Sequence, residues 1–589
     1  MDQQRLFLAI AISIAILLGF EFLVAPHLPQ QPPQPPPAQV ANSHLAPPPP
    51  AAGTQAAGTQ AAATPAGAET APKNVPRVKI AAPSVTGSIS LLGARIDDLT
   101  LNEYRDTPAA DSPHVQLLDP LSTPTPYYIQ YGWATDPGST IKVPDNTSVW
   151  HASADTLSPG HPVTLSWDNG QGLTYELLLS VDDDYMFGVT QAVKNASGQP
   201  VKLYPWARVR RDYTPKNEGF TSLYGGVSQG LTGVAKGTLH SMTYETAKSD
   251  AKKHDGVAYD ESSAGGWAGI TDKYWLTALV PEQSQDMGLS FRYIDTGDGA
   301  YQVGYLAHNP TTVAPGATAS LPWHTFAGAK VLTLLDHYQS QYSIPYFGKA
   351  VDFGWFYLLA RPIFYCLDWL NTLLGNFGLA IIAFTTCVKI LFFPLANYSY
   401  RSMSKMKLLG PKMQALRERL KDDPQKLQQE MMAMYRAEKV NPASGCLPMV
   451  VQIPVFISLY VVIFTTIEMR QAPFYGWIHD LSQPDPTNIF NLFGLLPFDP
   501  TMVSSYLHLG LWPLIMGGTM YLQQKLNPPP PDPVQARMFQ FMPVIFTFML
   551  ANFPAGLVIY WTWNNLCSVG QQWLIMRRTR LTRPGLART

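Results

Sequence analysis

The stretch FTTCVKILFFPL, from Phe384 to Leu395, is apolar almost throughout and carries one charge, Lys389, near its centre. It sits in a longer apolar segment, 376–396, which as a helix is about 30 Å long and spans a bilayer. Lysine at mid-depth is unfavourable there by about 2.5–3.5 kcal/mol on the insertion scale. Snorkelling is the plain alternative. The nearer polar end is Asn397, eight residues on, or roughly 12 Å along the axis. A lysine stem covers only about half of that, and side chains of a helix tilt the other way. The better reading is a hydrated groove, walled by Lys389 with Thr385 and Thr386 at helical spacing beside it.

Apolar segments recur at 447–467, 506–524, 536–552 and 555–576. Together with 376–396 they predict a five-span core over 376–576. Met1–Ala25 adds a sixth span: LFLAIAISIAILLGFEFLVA is long and has no clear small-x-small cleavage site before Glu21, so a retained anchor is favoured over a cleaved signal peptide. The loop 398–446 carries ten Lys/Arg, the tail 577–589 five Arg, and the loop 468–505 only Arg470. Basic segments stay in the cytoplasm. Both termini are then expected inside and the long front half outside.

That front half has two parts. Residues 26–83 are rich in Pro, Ala, Gln and Gly, with QQPPQPPP and AAGTQAAGTQAAA, and are expected to form an extended tether that buries no core. Residues 84–345 read as a β-sandwich, from short alternating runs such as TYELLLSV between turn signals such as DNG. Segment 354–374 is apolar but holds Arg361, Pro362 and Asp368 among aromatic residues. An interfacial amphipathic helix is expected, with a full span as the alternative.

Net charge is −1, which points to neither nucleic acid nor an acidic substrate. The four cysteines, Cys366, Cys387, Cys446 and Cys567, form no CxxC pair, and they read as small buried hydrophobes rather than a disulfide or zinc framework. The loop 398–446 reads as a helical hairpin. Met403, Met406, Met413 and Leu416 mark one stripe, and Leu427, Met431 and Met434 the other, with Asp423–Pro424 as the cap of the second helix. The stripes pair with each other, and a methionine-rich basic surface also suits a partner of variable shape or anionic lipid. Further polar residues lie in the later spans: Gln452, Gln523, Gln524, Tyr560, Asn564 and Asn565.

Three long runs go beyond pattern: PKMQALRERLKDDPQKLQQEMMAMYRAEKVNPASGCLPMVVQIPVF (411–456), RQAPFYGWIHDLSQPDP (470–486) and MPVIFTFMLANFPAGLVIYWTWNNL (542–566). With them the chain resembles the YidC-type bacterial membrane protein insertases, in their Gram-negative form, over nearly its whole length except the tether. The resemblance implies a polytopic α-helical membrane protein of six spans with a five-helix insertase core, and an all-β supersandwich periplasmic domain. It implies an inner-membrane insertase and chaperone that works without ATP, alone or beside the Sec translocon. A hydrophilic groove would accept the polar flank of a nascent span, whose apolar part slides into lipid along the third and fifth spans. The hairpin would receive the substrate first.

The expected groove residues are Thr385, Thr386, Lys389, Gln452, Gln524, Tyr560, Trp561 and Asn564. The expected docking residues on the hairpin are Met403, Met406, Met413, Arg417, Met431 and Met434. Nascent membrane proteins and Sec components are the expected partners, with the ribosome and anionic lipid on the basic hairpin and tail. No cofactor, metal or catalytic residue is expected. Two residues depart from the family pattern. Lys389 stands where arginine is usual, which keeps the charge and loses the bidentate fork. Trp561 stands where an aromatic hydroxyl is common. The rivals are a small-solute transporter or channel, disfavoured because no inverted repeat appears, and a membrane-anchored periplasmic enzyme acting on glycans, which rests on fold analogy alone.

Overall fold

The computed structural model describes residues 75–215, 227–420, 423–438, 447–502, 507–526 and 533–581. The expected N-terminal anchor, the tether through residue 74 and residues 582–589 of the tail lie outside them.

Alternation of apolar residues builds the first half. Along Leu173–Val181 every second side chain is buried, and this strand pairs antiparallel with Met186–Asn195, from Val181 opposite Phe187 to Leu173 opposite Asn195. Extended in this way, the described strands form two sheets, of eleven and nine strands. The sheets share one core, in which Tyr131 meets Trp323 edge-on at 6.1 Å and hydrogen-bonds Thr325. A sandwich is therefore present, as alternation predicts. Its start is earlier than the composition suggests. Arg77–Ala81, expected to be tether, is a strand paired with Val85–Ser90. Val78 and Ile80 are buried in it, so two inward-facing residues outweigh the proline-rich context.

The helices, in order, are α1 (Tyr244–Ala251), α2 (Leu332–Gln341), α3 (Tyr357–Leu374), α4 (Phe377–Leu391), α5 (Phe393–Leu408), α6 (Gly410–Arg419), α7 (Pro424–Ala437), α8 (Leu447–Thr465), α9 (Leu511–Leu526), α10 (Pro533–Met549) and α11 (Ala555–Leu581). No single helix among the described residues is long and apolar enough to cross a membrane, although α3 and α4, bent by 120°, pass that test as a pair, and Val450–Thr465 is a shorter apolar helix. The expected span 376–396 is broken at Phe392, the C-cap of α4. Gly375 makes the turn between α3 and α4 in the left-handed region, φ +67°, a conformation glycine adopts without strain. Gly378 lets α4 approach the segment that follows α8, since a Cβ there would run into the Phe474 ring.

α3 buries Ala360, Ile363, Phe364, Leu367 and Leu370 on one face, each of the larger ones contributing about 1.5–3 kcal/mol. Its other face is also apolar and open: Leu358 is 89% exposed and Trp369 64%. Ile390 on α4 and Phe541 and Ile545 on α10 are likewise 60% exposed or more. Apolar surface on this scale marks a membrane or partner surface rather than a water-facing one.

The sandwich and the helices are joined through a polar seam. The backbone N–H of Leu332, the first residue of α2, donates to Glu468 Oε1 at 3.2 Å. Arg470 Nη2 and Gln471 Nε2 both donate to the Arg105 carbonyl, at 2.6 and 2.9 Å. Asp336 on α2 accepts from Arg361 Nη2 at 2.7 Å and from the Tyr365 hydroxyl, which gives Arg361 inside α3 its partner. Burial pushes the Glu468 carboxyl up to about 7, against the two backbone hydrogen bonds that favour its charged form.

Candidate functional site

A cavity of about 300 Å³ lies between α4, α5, α8, α9, α10 and α11. Its polar lining comes from residues far apart in the chain: Lys389 from α4, Gln452 from α8, Gln524 from α9, and Tyr560, Asn564 and Ser568 from α11. The last three recur every fourth residue, so one face of α11 supplies them.

Lys389 Nζ donates to Ser568 Oγ at 2.9 Å, and that hydroxyl donates to the Asn564 carbonyl at 2.8 Å. Gln571 Nε2 donates to the Lys389 carbonyl at 2.9 Å, tying α11 to α4. No carboxylate of the described residues forms an ion pair with Lys389. Gln452 Nε2 donates to the Tyr560 hydroxyl, and Gln524 Nε2 to the Phe539 carbonyl. Asn564 Oδ1 is buried with no partner among the described residues. The lining thus offers a cation with amide and hydroxyl groups around it on a wall that is otherwise apolar, which suits a polar guest.

Of the eight expected groove residues, six line the cavity: Lys389, Gln452, Gln524, Tyr560, Trp561 and Asn564. Thr385 and Thr386 do not. Thr385 is buried and its hydroxyl donates to the Ile381 carbonyl at 2.6 Å; Thr386 donates to the Ile382 carbonyl and accepts from Trp563 Nε1, both at 2.9 Å. Each threonine bonds the carbonyl one turn back, a common arrangement in helices. Trp561 meets Phe456 edge-on at 4.6 Å and Phe546 at 5.8 Å, so its ring serves as apolar wall. Ser568 and Gln571 were not anticipated. Extending the α11 stripe from Tyr560 and Asn564 by one and two turns finds both.

The hairpin forms as Asp423 and Pro424 predict: Asp423 Oδ1 accepts from the Lys426 N–H at 3.0 Å, with Pro424 opening α7. Met413, Leu409 and Tyr435 are buried between α6 and α7, with Met406 and Met434 against them. Tyr435 donates to Met413 Sδ at 2.9 Å. Met403 packs instead with Ala396, Tyr400 and Ile575 and lines the cavity. Met431 and Arg417 are half-buried. Most of the methionine stripe is thus the hairpin's own seam.

Two family models match the chain: one described as the 60Kd inner membrane protein, over residues 369–582, and one as the YidC periplasmic domain, over residues 77–366. A membrane protein insertase YidC of Granulibacter bethesdensis is 60% identical over 597 residues, covering 100% of both chains. Another, of Acidiphilium cryptum, is 55% identical over 513 residues, covering 86% of this chain and 85% of that one. A crystal structure of an active YidC insertase with its first transmembrane domain resolved matches 85% of this chain and 93% of its own, at 17% identity and a TM-score of 0.35.

Proposed function

The chain belongs to the YidC family of membrane protein insertases, and on that premise we propose how its cavity inserts nascent membrane proteins. The observation that carries the reading is Lys389: a cation in a polar cavity, with no carboxylate partner among the described residues, beside open apolar helix faces. The polar flank of a nascent span enters the cavity, drawn by Lys389 when it is acidic. The apolar part leaves along α8, past Val450 and Ile453, and along α10, past Phe541, Val544 and Ile545, all exposed.

The energy comes from partitioning. Each Leu, Ile, Phe or Val gains about 0.3–0.6 kcal/mol at the centre of a span, so an apolar segment of about 20 residues gains several kcal/mol in lipid without nucleotide hydrolysis. The protein lowers only the barrier for the polar flank. α10 has 17 residues, about 25 Å, and is short for a bilayer. Local thinning there shortens the polar path.

In this reading the protein is an inner-membrane chaperone and insertase of six spans, with both termini cytoplasmic and the sandwich periplasmic. α3 lies in the interface, for which its 120° bend from α4 and its open aromatic face speak. The basic hairpin meets the ribosome and anionic lipid, and the Sec translocon is a partner. The test is site-specific photo-crosslinking in proteoliposomes. A crosslinker at Asn564 or Gln452 captures the polar flank of a substrate arrested during insertion, and one at Thr385 does not. Equal capture at Thr385 refutes the cavity as the route.

A further inference from the structure

The segment between α8 and α9 carries a second apolar surface that the insertion route does not use. Over Ile489–Met502 the sequence is IFNLFGLLPFDPTM, with Asp499 its one charge. Phe490, Leu492, Phe493, Leu495, Leu496 and Phe498 are all exposed, Leu495 by 82%. Leu492 and Phe493 sit in the left-handed region, φ 52° and 59°, where large apolar residues are uncommon. Their backbone turns tightly and leaves both side chains outward.

The base of this tip is built on hydrogen bonds. Asp485, 1% exposed, accepts from Trp477 Nε1 at 3.0 Å, from the Thr487 N–H at 2.9 Å and from the Trp512 N–H in the first turn of α9 at 2.8 Å. Asn488 Nδ2 donates to the Leu507 carbonyl at 2.8 Å, and the Ile489 N–H to the Leu509 carbonyl at 2.9 Å. The tip is therefore held out from the start of α9, with its apolar side chains uncovered.

The same inter-helix segment holds Arg470 and Gln471, which donate to Arg105 of the sandwich, and Glu468, which accepts from the start of α2. The tip thus emerges at the sandwich end of the helices. A long run of Phe and Leu with a single carboxylate matches the acyl boundary of a bilayer. The open apolar face of α10 runs on to Phe548 and Met549, both exposed, and just beyond them Asn552 Oδ1 lies 3.0 Å from His508 Nδ1, whose ring Nε2 lies 3.0 Å from the Asp485 carbonyl at the base of the tip.

We infer that Phe490–Phe498 inserts into the bilayer leaflet on the sandwich side and anchors the outer end of α9 there. The inference rests on the membrane-embedded reading of the helices. Its test is nitroxide scanning of the full chain in phosphatidylethanolamine–phosphatidylglycerol vesicles, with Cys366, Cys387, Cys446 and Cys567 replaced by serine. Labels go at Leu495→Cys, at Phe498→Cys as a second site, at Ile545→Cys as the lipid-facing reference and at Ser139→Cys as the aqueous one. Collisions with oxygen and with a water-soluble nickel chelate are compared. At Leu495 the oxygen-to-nickel ratio is expected several-fold above that at Ser139 and close to that at Ile545. A ratio like Ser139 with Ile545 still lipid-like overturns the inference alone. Low access to both reagents means that protein covers the tip, and overturns it too. An aqueous ratio at Ile545 refutes the embedded bundle itself.

Discussion

Replacing Lys389 tests the part proposed for it in insertion separately from its part in folding. Its ammonium makes one hydrogen bond, to Ser568 at 2.9 Å, and no ion pair among the described residues. Removal therefore strands no buried counter-charge, the usual reason such changes unfold a protein. Lys389→Ala is expected to leave thermal stability within about 1 kcal/mol, because the lost hydrogen bond and the relieved burial of charge are of similar size. Insertion should respond differently. A substrate carboxylate about 5 Å from Nζ gains roughly 3 kcal/mol at an effective dielectric constant near 20, and hydration of the groove reduces this to about 1.5–3 kcal/mol. The rate for a short acidic-tailed substrate should then fall about ten- to a hundredfold in Lys389→Ala. It should fall further in Lys389→Glu, and recover in Lys389→Arg if charge suffices. The assay is protease protection of the substrate in proteoliposomes, with thermal unfolding measured on the same preparations. Wild-type rates in both the alanine and glutamate variants would refute the role given to Lys389. A fall that tracks lost stability would refute the separation.

Three further outcomes follow from the same geometry. Burial pushes the Glu468 carboxyl up to about 7, above the usual value near 4.3; the folded state holds the proton longer, so its contribution falls between about pH 4.5 and 7 and is fully unfavourable above, by roughly 3–4 kcal/mol. Glu468→Gln should flatten that slope and raise the melting temperature at pH 8, read by thermal unfolding across pH. Arg211, buried, is held by Asp272 at 2.8 and 2.6 Å and by the Tyr244 hydroxyl at 2.6 Å, so Asp272→Ala should destabilise the sandwich by about 3–5 kcal/mol, seen in β-sheet circular dichroism on heating. Tyr435→Ala removes the centre of the hairpin seam and should lower its stability by about 3 kcal/mol, exposing 410–437 to limited proteolysis while the sandwich stays resistant.

Periodicity and charge, read residue by residue, determined much of this protein. Alternating runs such as TYELLLSV need two sheets to bury one face each, and Asp423–Pro424 caps a helix wherever it stands, because these effects act within a few residues. Lys389 announced a polar site because one charge in an apolar run has few other uses. Tertiary structure decided which neighbours share that site. Thr385 and Thr386 look like company for Lys389 on a helical wheel, yet their hydroxyls close on carbonyls one turn back and Trp563 covers Thr386. Ser568 and Gln571, 179 and 182 residues away, take that place instead, because only the packing of α11 on α4 brings them there. The strand at Arg77–Ala81 is the same lesson: its two inward residues are too few to read against prolines until a neighbouring strand and a core exist to receive them.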